Sequence, residues 1–292
     1  MSTGDSPPLP RRPATARPRS DAVEHGDADA AAPTHEELET MERKHIELTT
    51  HAGAEVVDDE SLGVAMVRLH GRGPGLNYAA QIRWSSADAD ERIQALDRAM
   101  REAGEWPVIS VADGLTEPAD LVDRLEALGW VRLSGERMMT TRHAPVVPHL
   151  DPGLRVEAVT PASALDAARL EVANFDLSLE SVGERAERLA HAVQDGTIRA
   201  FLLRLVHEPV ASLRLTSGPG VASLSAVGVA ARHRRRGYGQ MITAVATRAG
   251  LATGHKLVWL SVIEENVGAV ALYRSLGFEP SFAWSRWAAP AD

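Results

Sequence analysis

The residues best suited to chemistry in this sequence form the loop Arg234-Arg235-Arg236-Gly237-Tyr238-Gly239, between an apolar strand and a helix. Glycines permit backbone conformations and close approaches that a Cβ atom would prevent, so successive N–H groups can converge on one anion. The helix N-terminus and the arginine charges strengthen this attraction. The loop predicts a pyrophosphate seat, although the pattern alone also fits a glycine turn with solvated arginines. Neither the P-loop nor the dinucleotide-binding fingerprint is present, which disfavours a nucleotide-binding domain.

A second motif follows downstream, in the order Asn266, Ala269, Leu272, Tyr273, Gly277 and Phe278. Together with Arg234, Gly237 and Gly239, it resembles the GNAT superfamily of N-acetyltransferases. Members of that family carry a coenzyme A loop, Arg/Gln-x-x-Gly-x-Gly/Ala, and a segment Asn-x-x-Ala-x-x-Leu-Tyr-x-x-x-Gly-Phe. The resemblance covers residues 154–287 in element order, and the motifs cover residues 227–278.

This resemblance implies an enzyme that transfers acetyl from acetyl-CoA, its co-substrate, to a primary amine by direct attack in a ternary complex. The backbone of Val227 and Val229 is then expected to bind the pantetheine arm and the thioester oxygen, and Asn266 the pantetheine end. Tyr273 matches the position of the acid that protonates the leaving thiolate. The residues expected to hold the pyrophosphate are Arg234, Arg235, Arg236, Gly237, Tyr238, Gly239 and Gln240. Two structural roles stay open, a core tyrosine at 273 and a helix N-cap at Asn266.

One part of the family pattern is missing, because residues 223–229 contain no carboxylate that could serve as the general base. The alternative carboxylates in the sequence are Glu264, Glu265, Asp176 and Glu180. The missing base leaves a second hypothesis open, a non-catalytic acyl-CoA sensor. The acceptor is expected to be a small-molecule amine or a peptide amine, with Trp259, Trp284 and Trp287 as candidates for lining its pocket.

Composition restricts the remaining function classes. The formal net charge of −9 argues against a general nucleic-acid binder, which needs a basic field. The absence of cysteine excludes disulfides and thiolate metal sites, and the resemblance implies no metal. No segment approaches the roughly 20 apolar residues of a membrane span. The expectation is a cytoplasmic protein, monomeric or homodimeric, without a nucleic-acid or membrane partner.

The pattern of apolar residues predicts an α/β (α+β) protein with mixed sheets. The predicted strands are 64–69, 78–84, 108–112, 131–140, 154–159, 199–206, 210–216, 222–229, 256–263 and 281–287. The predicted helices are 89–103, 119–128, 162–174, 182–194, 238–252 and 267–276. These elements alternate as expected for two GNAT-like domains in tandem.

The two halves of the sequence also resemble each other. Residues 118–130 align with 266–278 at the offset that places Gly129 on Gly277, and two further elements agree at the same offset. At this offset every diagnostic residue of the carboxyl-terminal half is lost in the amino-terminal one; Arg234, Gly237, Gly239, Asn266 and Tyr273 fall on Ser86, Ala89, Glu91, Pro118 and Leu125. The predicted organisation is a disordered tail (1–35), a degenerate GNAT-like domain (36–144), a linker (145–152) and a catalytic domain (153–292), with one coenzyme site per chain.

Overall fold

Seven α-helices and eleven β-strands make up the part of the chain that the computed structural model describes, residues 32–50, 53–69, 77–148, 152–175 and 181–291. The helices are His35–Thr50 (α1), Ala89–Glu102 (α2), Leu121–Ala127 (α3), Ala164–Asn174 (α4), Val182–Gln194 (α5), Tyr238–Ala252 (α6) and Val267–Ser275 (α7). The strands are Glu55–Asp59 (β1), Val64–Arg68 (β2), Tyr78–Ala80 (β3), Val108–Ala112 (β4), Val131–Thr141 (β5), Leu154–Ala158 (β6), Ile198–Leu205 (β7), Glu208–Gly218 (β8), Val221–Val229 (β9), Leu257–Ile263 (β10) and Glu279–Ala288 (β11).

The strands form one mixed sheet in the order β1-β2-β3-β4-β11-β5-β10-β9-β8-β7-β6. At its centre the two predicted halves exchange strands. The final strand of the amino-terminal half, β5, pairs with β10, whereas the final strand of the carboxyl-terminal half, β11, pairs with β4. β5 and β11 also pair with each other. The halves therefore share a continuous sheet, which the repeat in the sequence does not reveal.

Helices cover both faces of this sheet. The face that carries α2, α3, α6 and α7 is called the α6 face, and the face that carries α1, α4 and α5 is called the α1 face. Successive side chains of a strand point to opposite faces. On β5, for example, Met139 packs with the residues of α6, and Met138 packs with those of α1. The carboxyl-terminal end of β5, residues 138–141, is thus buried on both sides.

The two halves end their last helices in the same way. Gly129 and Gly277 have φ values of 79° and 81°, in the left-handed region that glycine adopts without strain. After α7, the N–H of Gly277 donates to the carbonyl oxygen of Arg274, and the N–H of Phe278 donates to that of Tyr273. The corresponding pair of bonds closes α3. This is the Schellman pattern, so the Leu-Gly repeat in the sequence marks a helix end.

Two elements of the amino-terminal half are absent from the sequence-based prediction, α1 and β1. α1 begins at His35, the last residue of the predicted tail, and residues 1–31 lie outside the described ranges. The pattern of α1 is weak because its buried side includes Thr40, Glu42 and His45 as well as apolar residues. None of the helices in the described ranges combines the length and apolar character needed to span a bilayer.

Candidate active site

The loop before α6 has the backbone conformation that its glycines predicted. β9 leads into a short 3-10 turn over Ala231–His233, and the chain then reaches the N-cap of α6 at Gly237. Gly237 has a φ of 77°, and Arg235 a φ of 60°. The first N–H groups of a helix have no intrahelical partner, so they remain available to an anion. Arg235 and Arg236 are exposed beside this end of α6, where they add positive charge.

β9 and β10 separate next to this loop. They pair in parallel only over residues 221–224 and 257–260. Beyond that point β9 is paired with β8, and β10 with β5. Ala226 has a φ of 50° where the register between β8 and β9 shifts, and such a bulge increases the local twist of a strand. The last residues of β9 therefore present one unpaired edge to a gap in the sheet.

A cavity of about 650 Å³ joins the loop, the gap and α7. Its lining includes every predicted site residue except Arg236; these are Val227, Val229, Arg234, Arg235, Gly237, Tyr238, Gly239, Gln240, Asn266 and Tyr273. Residues from two distant motifs of the sequence thus meet around one space. Whether each of them performs its expected role stays a prediction.

Tyr273 reaches the cavity from α7 and is 7% exposed. Its ring centroid lies 6.0 Å from that of Phe278, so part of the ring packs in the core. Burial raises the pKa of Tyr273 to about 12, because the phenolate would lose its hydration. The side chain consequently carries its proton throughout the neutral range. It combines the packing role considered from the sequence with a position beside the gap.

Asn266 begins α7. Its Oδ1 accepts a hydrogen bond from the N–H of Ala269 at 3.1 Å, so it is an N-cap. The side chain also lines the cavity. The structural role that the sequence left open is therefore filled, and it is compatible with a contact to a ligand.

The structure adds residues that the motifs did not indicate. Asn174, the last residue of α4, lies directly over Gly228 and lines the cavity. The guanidinium of Arg234 links the two elements, since Nε donates to the carbonyl oxygen of Val229 at 3.1 Å and Nη2 donates to Asn174 Oδ1 at 3.3 Å. No short motif identifies Asn174, because only the packing of α4 on β9 brings it to the gap.

His233 holds the turn before the loop. It is 7% exposed, and its ring lies 6.2 Å from that of Tyr238. Nε2 of His233 is 2.8 Å from Glu208 Oε1. Hydrogen bonds from Arg232 and then His233 hold the pKa of Glu208 below its usual range. These contacts link the loop to the start of β8 and restrict the movement of the loop.

Of the sequence-based candidates for the general base, Glu264 and Glu265 lie in the described residues, and neither lines the cavity. Glu264 is bound to Arg132 at 2.9 Å, and Glu265 is not among the lining residues. Asp176 and Glu180 lie outside the described residues. Trp259, Trp284 and Trp287, the candidates for lining an acceptor pocket, are 1%, 2% and 6% exposed. They pack in the core because the exchanged strands bury both faces of the sheet there.

The equivalent strand separation in the amino-terminal half is bridged by hydrogen bonds. The N–H of Glu117 donates to the carbonyl oxygen of Ile82 at 3.0 Å, and the N–H of Trp84 donates to that of Glu117 at 3.1 Å. These bonds join the segment after β3 to the chain after β4. A cavity of about 520 Å³ remains beside them, lined by the carboxylate residues Asp113 and Glu117. Its charge disfavours a phosphate-bearing ligand.

Arg124 occupies the loop region of the amino-terminal half. Its guanidinium contacts Ser86 Oγ and Asp90 Oδ1 at 2.9 Å, and Asp120 Oδ2 at 3.0 Å. By the repeat, Ser86 corresponds to Arg234, so this loop lacks that cation and carries the carboxylate of Asp90. The polar groups of the amino-terminal loop are therefore bound by the chain's own Arg124. No group of three His, Asp or Glu side chains within the described ranges is placed to hold a metal.

Residues 165–278 match the model of the acetyltransferase (GNAT) family. An uncharacterized N-acetyltransferase of Bacillus subtilis (strain 168), YobR, is 38% identical over 61 residues, which is 21% of this chain and 25% of that protein. The match therefore spans only a quarter of the length of this relative.

Solved structures show the same fold. A GCN5-related N-acetyltransferase from Kribbella flavida superposes with a TM-score of 0.64 and 19% identity, over 87% of this chain and 96% of the other. A tandem GNAT protein from the clavulanic acid biosynthesis pathway has a TM-score of 0.60 and 18% identity, over 78% and 79%. At these identities the likeness concerns the architecture alone.

Proposed function

Because residues 165–278 belong to the acetyltransferase (GNAT) family, we propose that the chain is an acyl-CoA-dependent N-acyltransferase that transfers acetyl from acetyl-CoA to a primary amine. The observation that supports this most is a single cavity joining three features: the loop before α6, the gap between β9 and β10, and Tyr273. An anion seat, an open strand edge and a phenol are the parts that thioester aminolysis needs. The acceptor is a small-molecule amine or a peptide amine.

The loop would hold the pyrophosphate of the co-substrate. Gly237 begins α6 with a left-handed conformation, which directs the free N–H groups of Tyr238, Gly239 and Gln240 toward one point. Gly239 also lets the loop pack closely against α7, since a Cβ atom there would lie 3.1 Å from Leu272 Cδ1. Arg235 adds charge beside this point. The seat fits a diphosphate through these donors without any metal.

The unpaired edge of β9 would bind the pantetheine arm and the thioester. Val227 and Val229 carry the backbone groups next to the gap. When an amine attacks a thioester, negative charge develops on the carbonyl oxygen, and a fixed N–H donor stabilises that charge. Arg234 Nε donates to the carbonyl oxygen of Val229 at 3.1 Å, so the arm would share or replace this hydrogen bond if it binds there.

Tyr273 would protonate the departing thiolate. Its raised pKa ensures that the proton is present at neutral pH, which an acid catalyst requires. The nitrogen–carbon bond forms while the carbon–sulfur bond breaks, the phenol proton passes to sulfur, and the nitrogen loses one proton to solvent. Solvent then returns a proton to Tyr273. No covalent acyl-enzyme is needed, so both substrates are bound when the reaction occurs.

The amino-terminal half would bind no coenzyme. We assign it as a degenerate GNAT-like domain, residues 36–144, followed by the linker 145–152 and the catalytic domain, residues 153–292. This division is supported by the joined strands at Glu117 and by the internal cation Arg124. A cytoplasmic protein without a nucleic-acid or membrane partner is part of the same proposal.

The test is a thiol-release assay with acetyl-CoA over small amines, amino acids, aminoglycosides and peptides. Amine-dependent release of free thiol, with the acetylated amine identified by mass spectrometry, is the expected result. A non-catalytic acyl-CoA sensor is the second candidate, because residues 223–229 contain no carboxylate. Calorimetric binding of acetyl-CoA without thiol release for any amine would favour the sensor over the enzyme.

A further inference from the structure

Two residues of the cavity lining carry a buried polar atom without a hydrogen-bond partner in the described part of the chain. These atoms are Asn174 Nδ2 and His233 Nδ1. A ring nitrogen of neutral histidine can be a bare acceptor, whereas Nδ2 of asparagine always carries two hydrogens. An unpaired buried donor is unfavourable, so Asn174 calls for an acceptor atom that the described residues do not supply.

Arg234 fixes which way the carboxamide of Asn174 faces. A guanidinium carries only donors, so the atom that Nη2 contacts at 3.3 Å is the carboxamide oxygen. The amide cannot turn over without losing this bond. Nδ2 lies against the backbone of Gly228, which carries no side chain there. The donor is therefore held at the level of Gly228, between Val227 and Val229.

The same guanidinium places the carboxamide at the open edge of β9. The N–H of Ala230 donates to the carbonyl oxygen of Val210, so Ala230 faces β8. Successive residues of a strand direct their backbone polar groups to opposite edges, so Val229 faces the gap. Arg234 Nε binds the carbonyl oxygen of Val229, and Nη2 of the same side chain binds Asn174. One arginine thus connects the edge of the gap with the carboxamide.

Asn174 and Tyr273 belong to opposite faces of the sheet. Asn174 ends α4, which lies on the α1 face, whereas Tyr273 packs with the residues of α6. Both line the same cavity. A thioester bound along the edge of β9 would therefore have a phenol on one face and an amide donor on the other.

We infer that Asn174 is a catalytic residue whose Nδ2 donates a hydrogen bond to the carbonyl oxygen of the bound thioester, an inference that rests on the proposed function. As the amine nitrogen bonds to the carbonyl carbon, an electron pair moves to this oxygen, and the pair returns when the carbon–sulfur bond breaks. The negative charge strengthens the hydrogen bond, so the donor stabilises the transition state more than the bound substrate. Asn174 itself gives up no proton.

The experiment compares wild-type protein with two variants of this residue. Asn174→Ala removes the carboxamide, and Asn174→Asp keeps its shape and the oxygen that Arg234 binds but lacks the donor. Acetyl transfer to an amine found in the screen is measured at saturating acetyl-CoA. We expect kcat to fall about 100-fold in both variants, as is usual when one such donor is lost. The dissociation constant of coenzyme A, measured by calorimetry, should change less than about threefold in Asn174→Ala.

A spectroscopic measurement tests the contact without turnover. A hydrogen bond to a thioester oxygen moves the ¹³C resonance of the carbonyl carbon downfield, so acetyl-CoA labelled at that carbon is titrated with protein in the absence of amine. We expect a downfield shift with the wild type and a smaller one with both Asn174 variants. Asn77→Ala is the matched control and should behave as wild type, because Asn77 is bonded to Leu69 and Glu105 in the amino-terminal half.

The outcomes separate the inference from the proposed function. Wild-type kcat in Asn174→Asp would show that the carboxamide only packs against Gly228, and it would overturn the inference. Weaker binding of coenzyme A with unchanged kcat would place the donor on a pantetheine amide, which overturns the inference as well. An equal ¹³C shift in wild type and both variants would do the same. If the wild type transfers acetyl to no amine but its ¹³C shift depends on Asn174, the proposed transfer is wrong and the contact to the thioester stands.

Discussion

The side-chain amide of Asn174 lies against the backbone of Gly228, where an added Cβ atom would be 2.4 Å from Asn174 Nδ2. That nitrogen is buried and has no hydrogen-bond partner among the described residues. Both residues line the proposed co-substrate cavity. The absence of a side chain at position 228 is therefore what allows the end of α4 to close over β9.

Gly228→Ala should weaken acetyl-CoA binding by about tenfold, because the methyl group forces Asn174 into the cavity. Gly268→Ala is the matched control, since it changes another lining glycine whose added Cβ meets nothing closer than 4.0 Å. Calorimetry measures both dissociation constants. Adding Asn174→Gly to Gly228→Ala should restore binding to the level of Asn174→Gly alone. Equal affinities of Gly228→Ala and wild type would show that Asn174 can move without entering the site.

Gly237→Glu should abolish measurable acetyl-CoA binding, because it places a carboxylate in the proposed pyrophosphate seat. Gly254→Glu is an unusually close control. Both glycines have left-handed φ values, 77° and 92°, and neither has an atom within 4 Å of an added Cβ. Each substitution costs about 1 kcal/mol of backbone strain, and Gly254→Glu should be the less stable of the two because its carboxylate lies at the carboxyl end of α6. A similar loss of binding in Gly254→Glu would argue against the anion seat.

Tyr273→Phe should lower kcat by about 100-fold and change the acetyl-CoA dissociation constant by less than about threefold, since it removes a proton donor but keeps the ring. Tyr238→Phe, at the other tyrosine of the cavity lining, should affect turnover far less. Steady-state kinetics and calorimetry separate the two effects. Unchanged turnover in Tyr273→Phe would remove the acid assignment.

The pKa of Tyr273 also constrains the pH profile of the same assay. An acid acts only while it is protonated, so its contribution is lost as the pH rises through its pKa, here about 12. The wild-type kcat should therefore show no decline that depends on Tyr273 between pH 7 and 10. A fall in that interval that disappears in Tyr273→Phe would mean that the phenol titrates near its ordinary value.

The chain should bind one molecule of acetyl-CoA. In the amino-terminal half the strands are joined at Glu117, and the guanidinium of Arg124 is already bound to Asp90 and Ser86 of the loop. Calorimetric titration gives the stoichiometry directly. Two equivalent sites per chain would contradict the degenerate-copy assignment, and Gly237→Glu would then leave one of them intact.

The local sequence predicted the elements around the candidate site closely. α6 spans Tyr238–Ala252, as its apolar spacing indicates, and α7 ends one residue before the predicted limit at its Leu-Gly cap. These boundaries follow from caps and turns, which depend on neighbours in the chain. The residues of the loop and the position of Tyr273 on α7 could likewise be predicted from the local sequence.

Properties that depend on distant partners were not predictable. An apolar strand can pair with strands of either half, so the sequences of β5 and β11 do not determine which half each strand joins. Tryptophan is a residue type that often lines binding pockets, but the exchanged strands bury these three in the core. Asn174 carries no motif, because its position at the gap arises only when α4 packs on β9.

The exchange of β5 and β11 also affects how the protein can be synthesised and divided. The amino-terminal half cannot complete its sheet until the last strand has left the ribosome, because β4 pairs with β11, and β10 in turn takes its neighbour β5 from the first half. Such long-range pairing makes folding slow. Two fragments cut in the segment after β5 should be insoluble when expressed separately and should assemble when expressed together, as strands of one interlocked sheet.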